Sequence, residues 1–79
     1  MSLVSEEIML QKLNPGQLAK VIGLHGSDDE IARLAEMGLR QGTVVSVTRG
    51  GITCIVQLLN GSRLCVRTSR ELVIFVKPV

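Results

Sequence analysis

Residues 27–42, SDDEIARLAEMGLRQG, decide how this chain is read. Ser27 is a good helix N-cap, and Glu30 three residues later completes a capping box. Asp28 and Asp29 fill the first turn, where negative charge suits the helix dipole. Ile31, Leu34 and Ala35 fall at i, i+3 and i+4 and form one apolar face. Gly38 supplies a left-handed stop, and Leu39 beyond it is placed to touch Leu34, as in a Schellman ending. A helix this short is not stable alone. It has to be held by packing on something else.

Outward from the helix, the chain reads as strands and turns. Before it, "LNPGQ" (13–17) carries the Pro-Gly pair of a type II turn, and "QLAKVIGLHG" (17–26) is a first strand. After it, "QGTVVSVTR" (41–49) is a second strand and Gly50-Gly51 a turn. "ITCIVQLL" (52–59) is a third strand, Asn60-Gly61 a hairpin signal, and "SRLCVR" (62–67) a fourth. "LVIFVKPV" (72–79) is the last, limited near its end by Pro78. Five short strands at roughly ten-residue spacing predict an all-β fold with one helix: a small closed barrel, with the helix between its first two strands and covering one open end.

The hairpin at Asn60-Gly61 does not resolve into one apolar and one polar side. With Leu59 opposite Ser62, Ile55, Leu59, Leu64 and Val66 share one face, while Ile52, Cys54, Val56, Leu58 and Cys65 share the other. Either a bulge shifts the register, or the outer face is buried against something. Hydropathy favours the second. The chain has 79 residues, of which 46% are apolar, and its mean hydropathy is +0.36. A domain of this size buries only about 60% of the surface its unfolded chain exposes. Some apolar surface is therefore expected to face a partner or a second copy of the chain.

Composition also removes functions. Phe75 is the only aromatic, whereas single-stranded nucleic acid and proline-rich peptides are gripped by aromatic stacking. The net charge is +2, with no basic run to track phosphates, so no nucleic-acid partner is expected. No apolar run approaches the roughly 18 residues of a membrane span. The acidic opening lacks the basic n-region of a signal peptide, and residues 1–7 read as a flexible leader to a single domain. The expected location is cytoplasmic, with Cys54 and Cys65 as free thiols.

No catalytic constellation is visible. A single His allows no base-and-orienter arrangement built from several His residues. Ser27 and the acids beside it are accounted for by capping, and the chain is read as no enzyme, with no cofactor. His25, Cys54 and Cys65 are the only candidates for a metal, and they lack the paired C-x-x-C spacing of short-chain sites. They read more simply as a strand-end His and two small hydrophobes. Met37 and Leu39 flank the helix stop; core positions are the simpler reading, and an exposed partner anchor rimmed by Arg33 and Arg40 is the sharper one. Arg63 and Arg67 alternate along the fourth strand and read as solvated exterior.

The segments "LQKLNPGQLAKVIGL", "RLAEMGLRQGTVVSV" and "NGSRLCVR", followed by a closing apolar strand, together resemble the FeoA family of accessory proteins in bacterial ferrous iron transport. The most specific piece is Arg33-Leu34-x-Glu36-Met37-Gly38-Leu39 followed by Gly42. Leu13-x-Pro15-Gly16 and Gly61-x-Arg63-Leu64-x-Val66-Arg67 support it. The resemblance covers residues 10–77 and implies an SH3-like β-barrel with an inserted helix, no catalysis, and association with the membrane GTPase and iron permease FeoB. The same fold occurs as the C-terminal domain of iron-dependent repressors. A stand-alone regulatory module of that kind and a metal-binding chaperone are the alternatives.

Overall fold

The computed structural model describes residues 7–79; the expected leader, 1–7, lies almost wholly outside that range. Six strands and one α-helix follow in order. They are β1 (Ile8–Met9), β2 (Leu18–His25), α1 (Asp28–Glu36), β3 (Val44–Arg49), β4 (Thr53–Leu58), β5 (Arg63–Arg67) and β6 (Val73–Pro78), with a 3-10 turn at Leu10–Lys12 after β1. All strand pairs are antiparallel, in the order β1-β6-β2-β3-β4-β5.

The fold is therefore all-β with one helix, with two differences from the sequence-based expectation. A sixth strand precedes the predicted five. It is two residues long, too short for alternation to register, and it exists because Ile8 and Met9 pair with Val76 and Phe75. Among the described residues the sheet is also not closed by strand pairing: β1 and β5 are its outer strands and no ladder joins them.

Alternation places the core. Ala19 and Val21 of β2, Val45 and Val47 of β3, Cys54, Val56 and Leu58 of β4, Val66 of β5, and Ile74 and Val76 of β6 all point inward and are buried. The register shifts between Val21 and Gly23 against β6, and between Val47 and Arg49 against β4. Such bulges bend a strand and increase its twist, here curling the sheet around one core. In β2 the shift also moves the inward positions from Ala19 and Val21 to Leu24, which packs against the core.

The helix is built as its sequence dictates. The Glu30 amide donates to Ser27 Oγ at 3.1 Å, and the Ser27 amide donates to Glu30 Oε1 at 3.3 Å. At the other end the Leu39 amide donates to the Leu34 carbonyl (2.9 Å) and the Gly38 amide to the Ala35 carbonyl (3.0 Å), with Gly38 at φ +98°. That is the Schellman pair of bonds. Leu34 is buried in the core, and Leu39 is completely so. The Pro15-Gly16 turn forms too, with the Gln17 amide donating to the Asn14 carbonyl at 3.0 Å.

The hairpin resolves by the reading the sequence disfavoured. Its register pairs Val56 with Leu64, Ile55 with Cys65 and Cys54 with Val66, one residue away from a two-residue Asn60-Gly61 loop. Leu59, Asn60 and Gly61 form a three-residue loop, with Gly61 at φ +92°. This is a type I turn followed by a left-handed glycine and a bulge. The consequence is a clean division. Cys54, Val56, Leu58, Leu64 and Val66 face the core, whereas Ile55 and Cys65 face out. The expectation of two apolar faces on this hairpin is corrected.

Candidate functional site

The outer face of β4 and β5 carries a concavity. Arg49, Gly50, Ile52, Thr53, Ile55 and Cys65 line a groove of about 510 Å³. Next to it, a smaller groove of about 170 Å³ runs between α1 and β5. Glu30, Arg33 and Met37 stand on its helix side, Cys65 and Arg67 on its strand side, and Leu34, Val66 and Leu72 at its floor. Cys65 lines both, so the two form one surface. Its apolar members include Ile52 and Met37, which are 66% and 43% exposed. Arg33, Arg49 and Arg67 rim it, against the single carboxylate of Glu30.

Local structure explains each position. Ile52 is exposed because it sits in the β3–β4 turn beside Gly51, which takes φ +105°. The turn is pinned by the Thr68 amide and hydroxyl, which donate to the Ile52 carbonyl at 2.8 and 3.1 Å. Met37 is the helix C-cap, outside the apolar stripe that Leu34 buries. Met37, which adapts in shape, and the stiffer Ile52 and Ile55, set among guanidinium groups, suit a surface with apolar and acidic groups.

The predicted partner residues divide. Met37 and Arg33 line the groove. Arg40 is exposed, but its Nη2 donates to the Ala35 carbonyl at 3.1 Å, a second donor on the carbonyl that the Gly38 amide already reaches, and adds favourable charge at the helix end. Leu39 is fully buried and is corrected as an exposed anchor: the Schellman ending folds it under the helix. Sequence reading missed Ile52, Ile55, Arg49 and Arg67 as groove members. An isoleucine directly after Gly50-Gly51 was the available signal, since a turn tip seldom buries its side chains.

The three metal candidates do not converge. Cys54 is buried and its thiol donates to the Gly51 carbonyl (2.8 Å), while Cys65 is exposed on the opposite face. His25 lies at the end of β2, edge-on to the Phe75 ring at 5.5 Å. Among the described residues no group of three or more His, Cys, Asp or Glu is placed to hold a metal ion. Burial, with a smaller contribution from Cys65, pushes the Cys54 thiol above its ordinary pKa, the reverse of what activates a thiolate.

The architecture is a small SH3-like sheet with one capped helix, and its outer face carries an apolar groove edged by arginines. A family model described as FeoA domain matches residues 8–78, and the chain belongs to that family. Membership supports an accessory role in ferrous iron transport, in a family that is not catalytic. The fold matches the crystal structure of an iron uptake regulatory protein (FeoA) with a TM-score of 0.78 at 20% identity, covering 94% of this chain and 100% of that one. No curated protein matches. Among the described residues no helix is long and apolar enough to cross a membrane.

Proposed function

We propose that this chain is a non-enzymatic, cytoplasmic accessory protein of ferrous iron uptake that docks on the membrane GTPase and iron permease FeoB. The FeoA domain match over residues 8–78 carries the reading. The groove supports it: Met37 and Ile52 offer apolar contact, and Arg33, Arg49 and Arg67 offer charge that steers an acidic surface into place. Docking here requires no chemistry from the chain, in keeping with its scattered ionisable groups.

A pull-down of the cytoplasmic domain of a cognate FeoB, and of the intact transporter, tests the reading. Retention of either is expected. Met37→Asp should weaken retention while leaving the thermal transition close to that of the parent, because the side chain lies outside the core. Failure of both FeoB forms to bind the parent chain would count against docking itself.

A further inference from the structure

We infer that the free edge of β5 accepts an extended acidic segment of another protein as an added strand. The inference goes beyond the docking reading above, since it concerns what the edge takes whichever protein carries it.

The hydrogen-bond pattern defines the edge. The Leu58 amide donates to the Ser62 carbonyl, and the Thr68 amide to the Ile52 carbonyl, both at 2.8 Å. With an unbroken register between them, alternation makes Ser62, Leu64, Val66 and Thr68 the positions bonded to β4. The amides and carbonyls of Arg63, Cys65 and Arg67 therefore point the other way. β5 ends the sheet on that side, and among the described residues no backbone hydrogen bond reaches these groups from another element. The groove between β5 and α1 lies along this edge at Cys65–Arg67. An exposed row of unpaired backbone groups is a template for strand addition.

Side chains select the occupant. Those of Arg63, Cys65 and Arg67 share the outer face, and all three are exposed. An antiparallel strand bonded to this edge sets three of its own side chains beside them, at positions i, i+2 and i+4. Opposite the arginines, carboxylates pair favourably. Opposite Cys65, whose neighbour across β4 is Ile55, an apolar side chain extends the row. Arg33 across the groove adds further positive charge. The recognised pattern is acid–x–apolar–x–acid in an extended conformation.

A second copy is a poor occupant. Antiparallel self-pairing centred on Cys65 sets Arg63 against Arg67 of the other copy at both ends, and like charges directly opposite are destabilising. The edge thus discriminates by charge between itself and an acidic strand.

The test uses the full chain, ¹⁵N-labelled, and the end-capped peptide Glu-Thr-Val-Thr-Glu, whose order reads the same in both directions. At saturating peptide, hydrogen exchange at the Arg63, Cys65 and Arg67 amides should slow, while Leu64 and Val66, already bonded to β4, stay unchanged. Lys-Thr-Val-Thr-Lys should leave all five unchanged. Arg63→Glu with Arg67→Glu should weaken the acidic peptide about tenfold or more and admit the lysine peptide. The parent-chain arms stand whether or not that variant folds. Millimolar acidic peptide without slowed exchange would overturn the inference, as would equal response to both peptides. Slowing in the protein alone as its concentration rises, with a Cys65–Cys65 cross-link on oxidation, would assign the edge to a second copy and overturn it too.

Discussion

Leu58 and Ser62 face each other across a three-residue loop: the Leu58 amide donates to the Ser62 carbonyl at 2.8 Å, and the Gly61 amide returns to the Leu58 carbonyl at 3.0 Å. This one pairing sets the register of β4 against β5. It sends Cys54 into the core and Cys65 to the surface, and it decides which backbone groups of β5 remain free.

Gly61 holds that register through its backbone alone. At φ +92°, a side chain added there meets nothing within 4 Å, so any cost of substitution is conformational. Gly61→Ala should destabilise by about 1–2 kcal/mol, read by urea denaturation. Gly61→Asn should cost less, because Asn tolerates left-handed backbone. Equal losses for both variants would refute the conformational account.

Ser27 and Glu30 satisfy free amides at the start of α1 reciprocally. Ser27→Ala should cost about 1 kcal/mol, and Ser27→Asp should restore most of it. In a domain of this size, 1 kcal/mol moves the thermal midpoint by about 4–8 °C, so calorimetry resolves the pair.

Met37 and Leu39 are two positions apart and have opposite duties. Leu39→Ala should destabilise by about 2–5 kcal/mol through lost burial and a residual cavity. Met37→Ala should stay within about 0.5 kcal/mol of the parent. Chemical denaturation of the two variants side by side checks the contrast, and a large loss at Met37 would show that the groove wall is structural.

The two thiols should separate by reactivity and by pH. Cys65 should react with a disulfide reagent in the native protein, and Cys54 only after unfolding. Because burial raises the Cys54 pKa in the folded state, the unfolded chain gives up that proton first as pH rises. Its contribution to stability is full below the ordinary thiol value of about 8.5 and is lost as pH climbs from there toward the raised folded value. Cys54→Ala should flatten the alkaline fall in stability between pH 8 and 10 relative to the parent.

Local signals were legible wherever a few neighbouring residues decide the geometry. Ser27 with Glu30, Gly38 with Leu39, and Pro15 with Gly16 each specify a cap or turn within a handful of positions, because the hydrogen bonds involved close over three to five residues. The five longer strands and the single helix follow from the same short-range chemistry and from alternation. The family resemblance rested on these residues too.

Tertiary structure decided the rest. β1 exists only because Val76 and Phe75, more than sixty positions away in sequence, offer it a partner. Asn60-Gly61 is compatible with a two- or a three-residue loop, and a one-residue difference exchanges every side chain of a strand between core and surface. Only packing of Cys54, Val56 and Leu58 against the remaining strands selects between them. The groove likewise gathers Arg49, Ile52, Cys65 and Met37 from two strands, a turn and a helix end. No periodicity within a segment encodes that meeting, because it arises from how the bulged sheet curls and where the helix comes to rest beside β5.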